Sequence, residues 1–196
     1  MKRKTRVAAT TITMLCLVGA VCVRALARRA NPKESTIQDL KNTKVLKDRL
    51  QQDSDKLTLV ALISPVCPLC RNGFTDIQTV LKNIADDRLR VHVVFLPMYP
   101  GDNKRRAQTR MEEFADRRVS YYWDADRLTG ADWAKTLQID QTAWDVYMLY
   151  VPGTNWQGLS PIPVFWMHQL EGITKAPCLN KAELEIKVRQ LLTDFK

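Results

Sequence analysis

Apolar and polar positions along this chain predict strands and helices in alternation from Lys56 onward. Residues 57–63 (Leu-Thr-Leu-Val-Ala-Leu-Ile) form a nearly continuous apolar run, as expected of a strand that is buried on both faces. The apolar residues that follow recur at helical spacing and predict a helix over about 68–86: Phe74, Ile77, Leu81 and Ile84. The sequence therefore predicts a buried strand that turns directly into an amphipathic helix.

The pattern continues in the same way and ends in a hairpin and a helix. It predicts strands at 90–96 and 119–123 with a charged helix at 103–116 between them, a short helix capped by Thr129 with Asp132 in its first turn, two adjacent strands at 144–151 and 163–170, and a final amphipathic helix after Asn180. This order predicts an α/β fold, with a mixed central sheet flanked by helices on both faces.

The N-terminal segment differs in character from the rest. Basic residues precede an uncharged stretch at 7–23, and a small-x-small site, Ala-Leu-Ala, follows at 25–27. This pattern predicts a signal peptide or an uncleaved signal anchor over 1–27. The protein is then exported, either periplasmic or anchored to the cytoplasmic membrane facing outward. Residues 28–55 are charged and contain a few apolar positions, Ile37, Leu40, Leu46 and Leu50, typical of a helix that either packs on the domain at 56–196 or spaces it from a membrane. The low hydrophobicity favours the linker or spacer.

The net charge of +9 overstates how basic the exported part is. Five of the 30 lysines and arginines, and none of the 21 acidic residues, lie within 1–27, so the rest of the chain has an excess of four positive charges. These charges form no basic stripe interleaved with aromatic residues. Nucleic-acid binding therefore has no support in the sequence.

The strongest chemical motif is Cys67-Pro68-Leu69-Cys70, at the junction between the predicted strand and helix. A cysteine at a helix N-terminus faces the positive end of the helix dipole, which favours the thiolate over the thiol. The second cysteine lies one turn further on, where it can attack a mixed disulfide formed by the first. This spacing and position indicate dithiol–disulfide chemistry.

The cysteine pair has two alternative, purely structural interpretations. A zinc site needs about four ligands, and the other candidates, Cys178, His92 and His168, are scattered without a second close pair. A structural disulfide usually closes a longer loop and has no need of a strand–helix junction. Of the redox, zinc and structural-disulfide interpretations, the redox interpretation is the one that the motif and its position favour.

With a Cys-x-x-Cys after the first long strand, the order of elements over 56–196 resembles the thioredoxin-like superfamily, and most of all its exported members. Residues 103–137 would then be the extra helix and strand that those members carry. The resemblance implies that Cys67 is the attacking thiolate and Cys70 the resolving thiol. It also implies that Pro68 and Leu69 tune the redox potential.

The sequence departs from that family in two places. Thioredoxins usually have a tryptophan before the first cysteine, where this chain has Ser64-Pro65-Val66. They also place a cis-proline opposite the cysteines, just before the first hairpin strand. In the favoured register that segment is 141–144 and ends in Trp144, with no proline. The other register, with the cis-proline at Pro163, leaves a poor last strand.

Three further residues are candidates for supporting roles. His168, on the last predicted strand, either approaches the cysteine pair or is a buried histidine held by a backbone hydrogen bond. Cys178 is either a small apolar residue or a third redox sulfur. Trp144 belongs to a group of five tryptophans that line a partner groove or pack in the core.

The sequence as a whole predicts an exported thiol–disulfide oxidoreductase that acts without a cofactor on protein or small-molecule disulfides and thiols. Two alternatives remain. One is a thioredoxin-fold copper chaperone with Cys67, Cys70 and His168 as ligands and Cys178 as a substitute. The other is a non-catalytic thioredoxin-like adaptor that binds a membrane or envelope partner through the tryptophan-rich half of the domain.

Overall fold

The structure is a computed structural model that describes residues 36–195. The predicted signal segment at 1–27 lies outside the described residues. Within 36–195, each helix is too short or too polar to span a bilayer.

The described chain folds into six strands and five helices. The strands are β1 (Gln38–Asp39), β2 (Leu57–Ile63), β3 (Leu89–Phe95), β4 (Val119–Trp123), β5 (Val146–Tyr150) and β6 (Phe165–His168). The helices are α1 (Thr43–Gln52), α2 (Pro68–Asn83), α3 (Lys104–Glu112), α4 (Leu128–Leu137) and α5 (Lys181–Asp194). The predicted elements at 56–196 are all present, and most are a few residues shorter than the periodicity suggested.

The strands form one mixed sheet in the order β1-β4-β3-β2-β5-β6. Strands β1, β4, β3 and β2 run parallel to one another, and β5 pairs antiparallel with both β2 and β6. All seven residues of β2 are buried, because helices cover both faces of the sheet at its centre. The predicted α/β fold class is confirmed.

Each face of the sheet packs on its own set of helices. On one face, Phe74 and Ile77 of α2 and Leu184 and Val188 of α5 pack in one core cluster with alternate residues of β2. On the other face, α1 and α4 form a second cluster with the remaining apolar residues of β2. The continuous apolar run of β2 is thus divided between two cores, as its sequence predicted.

The segment predicted as a linker at 28–55 requires a correction. Strand β1 pairs with β4, and on α1 the side chains of Leu46 and Leu50 are both 0% exposed. Helix α1 is therefore part of the domain and not a spacer, and the domain boundary lies before residue 56. The composition favoured a spacer because only a narrow stripe of this helix is apolar, and the rest of its surface is polar or charged.

Helix α4 is capped by Asp124 and not, as the sequence predicted, by Thr129. The carboxylate of Asp124 accepts hydrogen bonds from the backbone N–H groups of Leu128 and Thr129 and from the Thr129 hydroxyl. Thr129 itself lies inside the helix, and Asp132 accepts from Ser160 and pairs with Lys47. A carboxylate outside the helix thus does the capping that the sequence assigned to Thr129.

A buried polar contact joins α1 to the sheet. Nε2 of His92, on β3, lies 3.3 Å from Oδ2 of Asp53 at the end of α1, although the two are not aligned for a hydrogen bond. Nδ1 of His92 lies 3.1 Å from the Tyr122 hydroxyl. Burial lowers the pKa of His92, and Asp53 opposes this only in part. Burial alone would raise the pKa of Asp53, but His92, Arg49 and Arg90 hold it below its usual value.

Candidate functional site

The two cysteines of the motif begin helix α2 at the C-terminal end of β2. Cys67 is the N-cap residue, and Pro68 is the first helical residue. Proline fits there because the N–H that it lacks would have no hydrogen-bond partner within the helix. Both cysteines are free thiols, with Cys67 4% and Cys70 0% exposed. Cys67 therefore presents the more accessible sulfur, at the positive end of the helix dipole.

Pro68 and Leu69 lie on the surface between the cysteines. Leu69 is 52% exposed, and its backbone carbonyl accepts a hydrogen bond from the Gln169 side chain at 3.0 Å. This bond ties the first turn of α2 to the chain just after β6. The side chain of Leu69 is thus an exposed apolar group between the two cysteines.

Ser64, the first residue after β2, contacts both cysteines. Its hydroxyl oxygen accepts a hydrogen bond from the backbone N–H of Cys67 at 3.2 Å. Its own backbone N–H donates to the Cys70 sulfur at 3.3 Å. A donor at the sulfur favours the thiolate of Cys70, whereas burial and a neighbouring carboxylate act in the other direction.

That carboxylate belongs to Asp145, which immediately precedes β5. The sulfurs of Cys67 and Cys70 and a carboxylate oxygen of Asp145 all lie within 4.8 Å of one another, and all three residues are buried. Burial, and after it the charge of Asp145, raises the pKa of the Cys70 thiol far above its ordinary value. Cys70 is thereby held as a protonated thiol.

Asp145 is fixed by its own neighbours. Its Oδ1 accepts hydrogen bonds from the Tyr147 hydroxyl at 2.7 Å and from Nε2 of Gln169 at 2.9 Å, and its backbone carbonyl accepts from the Gln169 N–H. Its φ of 51° lies in the left-handed region, an unusual conformation for a residue other than glycine. None of the ion pairs among the described residues involves Asp145.

Tyr147 packs directly against helix α2, and its position requires a glycine there. A Cβ on Gly73 would lie 1.8 Å from the Tyr147 hydroxyl oxygen, so only glycine leaves room for the ring. Burial, and after it the charge of Asp145, raises the pKa of Tyr147 well above its ordinary value. The hydroxyl therefore stays protonated and donates to the carboxylate.

The chain before β5 adopts the register that the sequence favoured. Val146 pairs with Leu62 of β2, so Asp145, directly before β5, lies beside the cysteines at the start of α2, and residues 141–145 contain no proline. All peptide bonds among the described residues are trans. Sequence reasoning found this register but missed Asp145, because it counted the residue as part of a strand. The signal was a charged residue inside an apolar run.

His168, a predicted supporting residue and metal ligand, is held by the backbone. Its Nδ1 accepts from the N–H of Leu170 at 3.0 Å, and its Nε2 lies 3.0 Å from the carbonyl of Ala176. These two bonds occupy both ring nitrogens and assign the proton to Nε2. The group of potential ligands around the cysteines contains Asp145 and not His168.

The other two supporting candidates lie on either side of the hairpin. Cys178 is exposed, and its backbone forms a bridge to His168 at the end of β6. Trp144 is half-buried and packs against both core clusters, next to Asp145 in the chain. The tryptophans Trp133 and Trp156 are buried, so they belong to the core and not to a partner groove.

Within residues 36–195, one group of side chains could hold a metal ion: Cys67, Cys70 and Asp145. Two thiolates and a carboxylate oxygen suit Zn²⁺, which accepts both donor types, better than Cu(I), which prefers sulfur and imidazole. The bonds that Tyr147 and Gln169 make to the carboxylate resemble those that orient metal-bound carboxylates.

Comparisons with known proteins agree on the architecture. No protein-family model matches the chain, and no curated protein matches its sequence. Among solved structures, a thioredoxin-type protein from Neisseria meningitidis matches at 13% identity with a TM-score of 0.50, covering 72% of this chain and 79% of that one. A thioredoxin-like protein solved in its oxidised form matches at 17% identity with a TM-score of 0.49, covering 72% and 81%.

A secreted disulfide oxidoreductase from Mycobacterium tuberculosis matches at 13% identity with a TM-score of 0.45, covering 72% of this chain and 86% of that one. At 13% identity, the likeness to the Neisseria meningitidis protein, with its TM-score of 0.50, concerns the fold alone. The mixed sheet, the antiparallel hairpin β5–β6 and the cysteine pair at the start of α2 give the same result from within the molecule. This chain has the fold of the thioredoxin-like superfamily.

Proposed function

We propose that this protein is a thiol–disulfide oxidoreductase whose working dithiol is Cys67 and Cys70. The observation that carries the proposal is the position of Cys67 as N-cap of α2, with Cys70 one turn behind it and fully buried. This arrangement gives the two sulfurs different tasks. The outer one is placed to meet a substrate, and the inner one is shielded until the outer one has reacted.

Reduction of a substrate disulfide proceeds in two exchanges. The Cys67 thiolate attacks one substrate sulfur, a mixed disulfide forms, and the other substrate sulfur leaves as a thiolate. Cys70 then gives up its proton and attacks the Cys67 sulfur. The Cys67–Cys70 disulfide forms, and the second substrate thiolate is released. The substrate gains two electrons and the protein loses two, and the reverse sequence oxidises a substrate dithiol.

Asp145 is the group that accepts the Cys70 proton in this proposal. The raised pKa of Cys70 keeps its proton in place in the resting protein, so a base has to take it during the second exchange. The Asp145 carboxylate lies within 4.8 Å of that sulfur. Tyr147 and Gln169 both donate to Oδ1, which leaves Oδ2 for the proton.

Export is the finer part of the proposal. It rests on the basic flank and uncharged stretch within residues 1–27, followed by the Ala-Leu-Ala site. An oxidising compartment outside the cytoplasm is where structural and substrate disulfides persist. Fractionation of cells that produce the full chain, with a membrane-impermeant thiol reagent on intact cells, tests this: labelling of Cys178 from outside is expected.

The decisive experiment for the chemistry uses three variants of the full chain. Cys67→Ser is expected to abolish disulfide exchange with insulin and glutathione, and Cys70→Ser to trap a mixed disulfide on Cys67. Cys178→Ser serves as the matched control and should exchange like the wild type. Undiminished exchange by Cys67→Ser would remove the proposal, and cysteines that stay inert in every assay would favour the adaptor function. Equilibration of the wild type with glutathione gives the direction of the reaction.

A metal-handling function is the second candidate, and one observation favours it: the buried Cys67, Cys70 and Asp145 group. The reduced protein would be titrated with Cu(I) and with Zn²⁺ against a competing chelator, in the wild type and in Asp145→Ala. Binding no tighter than that of a generic dithiol peptide, unchanged by the substitution, would eliminate this candidate. Copper binding that depends on His168 would restore the ligand set predicted from the sequence.

A further inference from the structure

Asp102, in the loop between β3 and α3, holds the chain that carries the cysteines. One carboxylate oxygen accepts hydrogen bonds from the Ser64 hydroxyl at 2.7 Å and from the backbone N–H groups of Met98 and Tyr99 at 2.9 and 2.7 Å. The other accepts from the N–H of Val66 at 3.0 Å. This half-buried carboxylate therefore joins the loops that leave the C-terminal ends of β2 and β3.

Ser64 connects Asp102 to both sulfur-bearing residues. A serine hydroxyl has one proton, and here it is donated to Asp102, so the oxygen is left to accept the N–H of Cys67. The same residue's backbone N–H donates to the Cys70 sulfur. Since Ser64 is 1% exposed, water does not replace these partners easily. The direction of the hydroxyl and the position of the N–H both depend on Asp102.

We infer that Asp102 is a positioning residue that sets the reduction potential of the Cys67–Cys70 pair through Ser64. This inference rests on the proposed oxidoreductase function. The Ser64 N–H donates to the Cys70 sulfur in the reduced protein, and a disulfide sulfur would be the weaker acceptor. The Ser64 N–H therefore stabilises the reduced form more than the oxidised form. Loss of Asp102 removes the acceptor of the Ser64 hydroxyl, so Ser64 can move and its N–H bond to the Cys70 sulfur weakens. The reduced form is then less stable, and the cysteine pair becomes a stronger reductant.

The charge of Asp102 acts with the opposite sign, but it is the smaller effect. A negative charge near the dithiol disfavours the thiolate, so its removal alone would stabilise the reduced form. This carboxylate is half-exposed, makes its hydrogen bonds to Ser64, Val66 and its own loop rather than to either sulfur, and is screened by solvent and salt. The direct hydrogen bond to sulfur decides the sign.

Asp102→Asn is the informative substitution, because an amide has one acceptor oxygen, so its NH2 group must face donors either at the position of the three or at that of the Val66 N–H. In the full chain, the equilibrium constant for reduction of the Cys67–Cys70 disulfide by glutathione is expected to fall about threefold to tenfold. That range corresponds to a potential about 15–30 mV more negative, at about 30 mV per tenfold for two electrons. Ser64→Ala should shift the potential in the same direction.

Asp124→Asn is the matched control. Asp124 also follows a strand, is buried and accepts hydrogen bonds from two backbone N–H groups and a hydroxyl, but it caps α4 beyond β4. The Asp124→Asn substitution should lower the free energy of unfolding without changing the reduction potential of the Cys67–Cys70 pair. The double variant of Asp102→Asn and Ser64→Ala should shift the potential no further than the larger single shift, because both changes break one connection.

Two results would overturn the inference while leaving the proposed function intact. One is a potential in Asp102→Asn that moves no more than in Asp124→Asn, and the other is additive shifts in the double variant. A wild-type chain that forms no Cys67–Cys70 disulfide in glutathione buffers would instead overturn the proposed function, and this inference with it.

Discussion

The carboxylate of Asp145, just before β5, and the sulfur of Cys70, in the first turn of α2, lie within 4.8 Å of each other in the protein interior. Burial of two acidic groups side by side favours a state in which one of them keeps its proton. Here that group is the thiol, whose pKa is raised by burial and by the carboxylate. The pair is therefore suited to pass one proton during disulfide exchange.

Replacement of Asp145 by asparagine is expected to slow the second exchange. Without a carboxylate, the Cys70 proton has no nearby acceptor, so the mixed disulfide on Cys67 should persist and its resolution should slow by about tenfold or more. Acid quenching at successive times, followed by mass spectrometry, measures this species. Asp140→Asn removes an exposed carboxylate from the preceding loop and should resolve at the wild-type rate. An Asp145→Asn protein as fast as this control would exclude the assigned role.

The buried contact between His92 and Asp53 predicts a loss of stability on acidification. His92 has a lowered pKa in the folded protein, so below its ordinary value of about 6.5 the unfolded chain binds a proton that the folded chain does not. The free energy of unfolding should therefore fall as the pH drops below about 6.5, by up to about 1.4 kcal/mol per pH unit. The lowered pKa of Asp53 adds to the loss only below its ordinary value of 3.8.

Urea unfolding between pH 4.5 and 7.5 checks this prediction. The sequence contains two histidines, so His92→Gln isolates the contribution of one of them. The variant should be less stable at pH 7 and should show a flatter dependence on pH. An equal slope in both proteins would mean that His92 titrates normally in the folded state.

Helix α1 is expected to contribute to the stability of the domain. Leu50→Ala should lower the free energy of unfolding by about 2–5 kcal/mol, because the side chain is fully buried against the sheet. Ile186→Ala, at a position 66% exposed on α5, is the control and should change stability by less than about 0.5 kcal/mol. If both variants unfold at the same urea concentration, α1 is a spacer after all.

Gly73→Ala tests the close approach of Tyr147 to helix α2. The new methyl group would overlap the tyrosine hydroxyl, so the ring must move away from Asp145, and stability should fall by about 1–3 kcal/mol. Exchange with glutathione should slow as well, because the carboxylate loses a donor. In Gly130→Ala, on α4, the new Cβ would lie 2.5 Å from the Thr142 methyl carbon. This variant is the control, because it introduces similar strain but should leave exchange at the dithiol unchanged. Equal effects of the two variants on exchange would contradict this account.

The elements of this fold follow from the sequence because they depend on local periodicity. The apolar run at 57–63, the helical spacing after it and the Asn180 cap of α5 all appear in the structure as predicted. The position of Cys67 and Cys70 at a helix start needs only this local information. The register before β5 was also predicted from local pattern, since the alternative with a cis-proline at Pro163 leaves only 171–178, with Gly172 and Pro177, for the last strand.

Tertiary structure alone decided what surrounds the cysteines. Asp145, Asp102 and Ser64 come from three different segments, and their meeting depends on which strand ends lie side by side in the sheet. Periodicity says where a strand runs but not its neighbours, so Asp145 looked like an ordinary strand residue and α1 like a linker. The opposite error occurred at His168, which the sequence offered as a site residue. Its strand ends near the start of α2, but both ring nitrogens bond to the backbone of residues 170 and 176. Long-range packing fixes side-chain direction, and a single sequence contains no local signal for it.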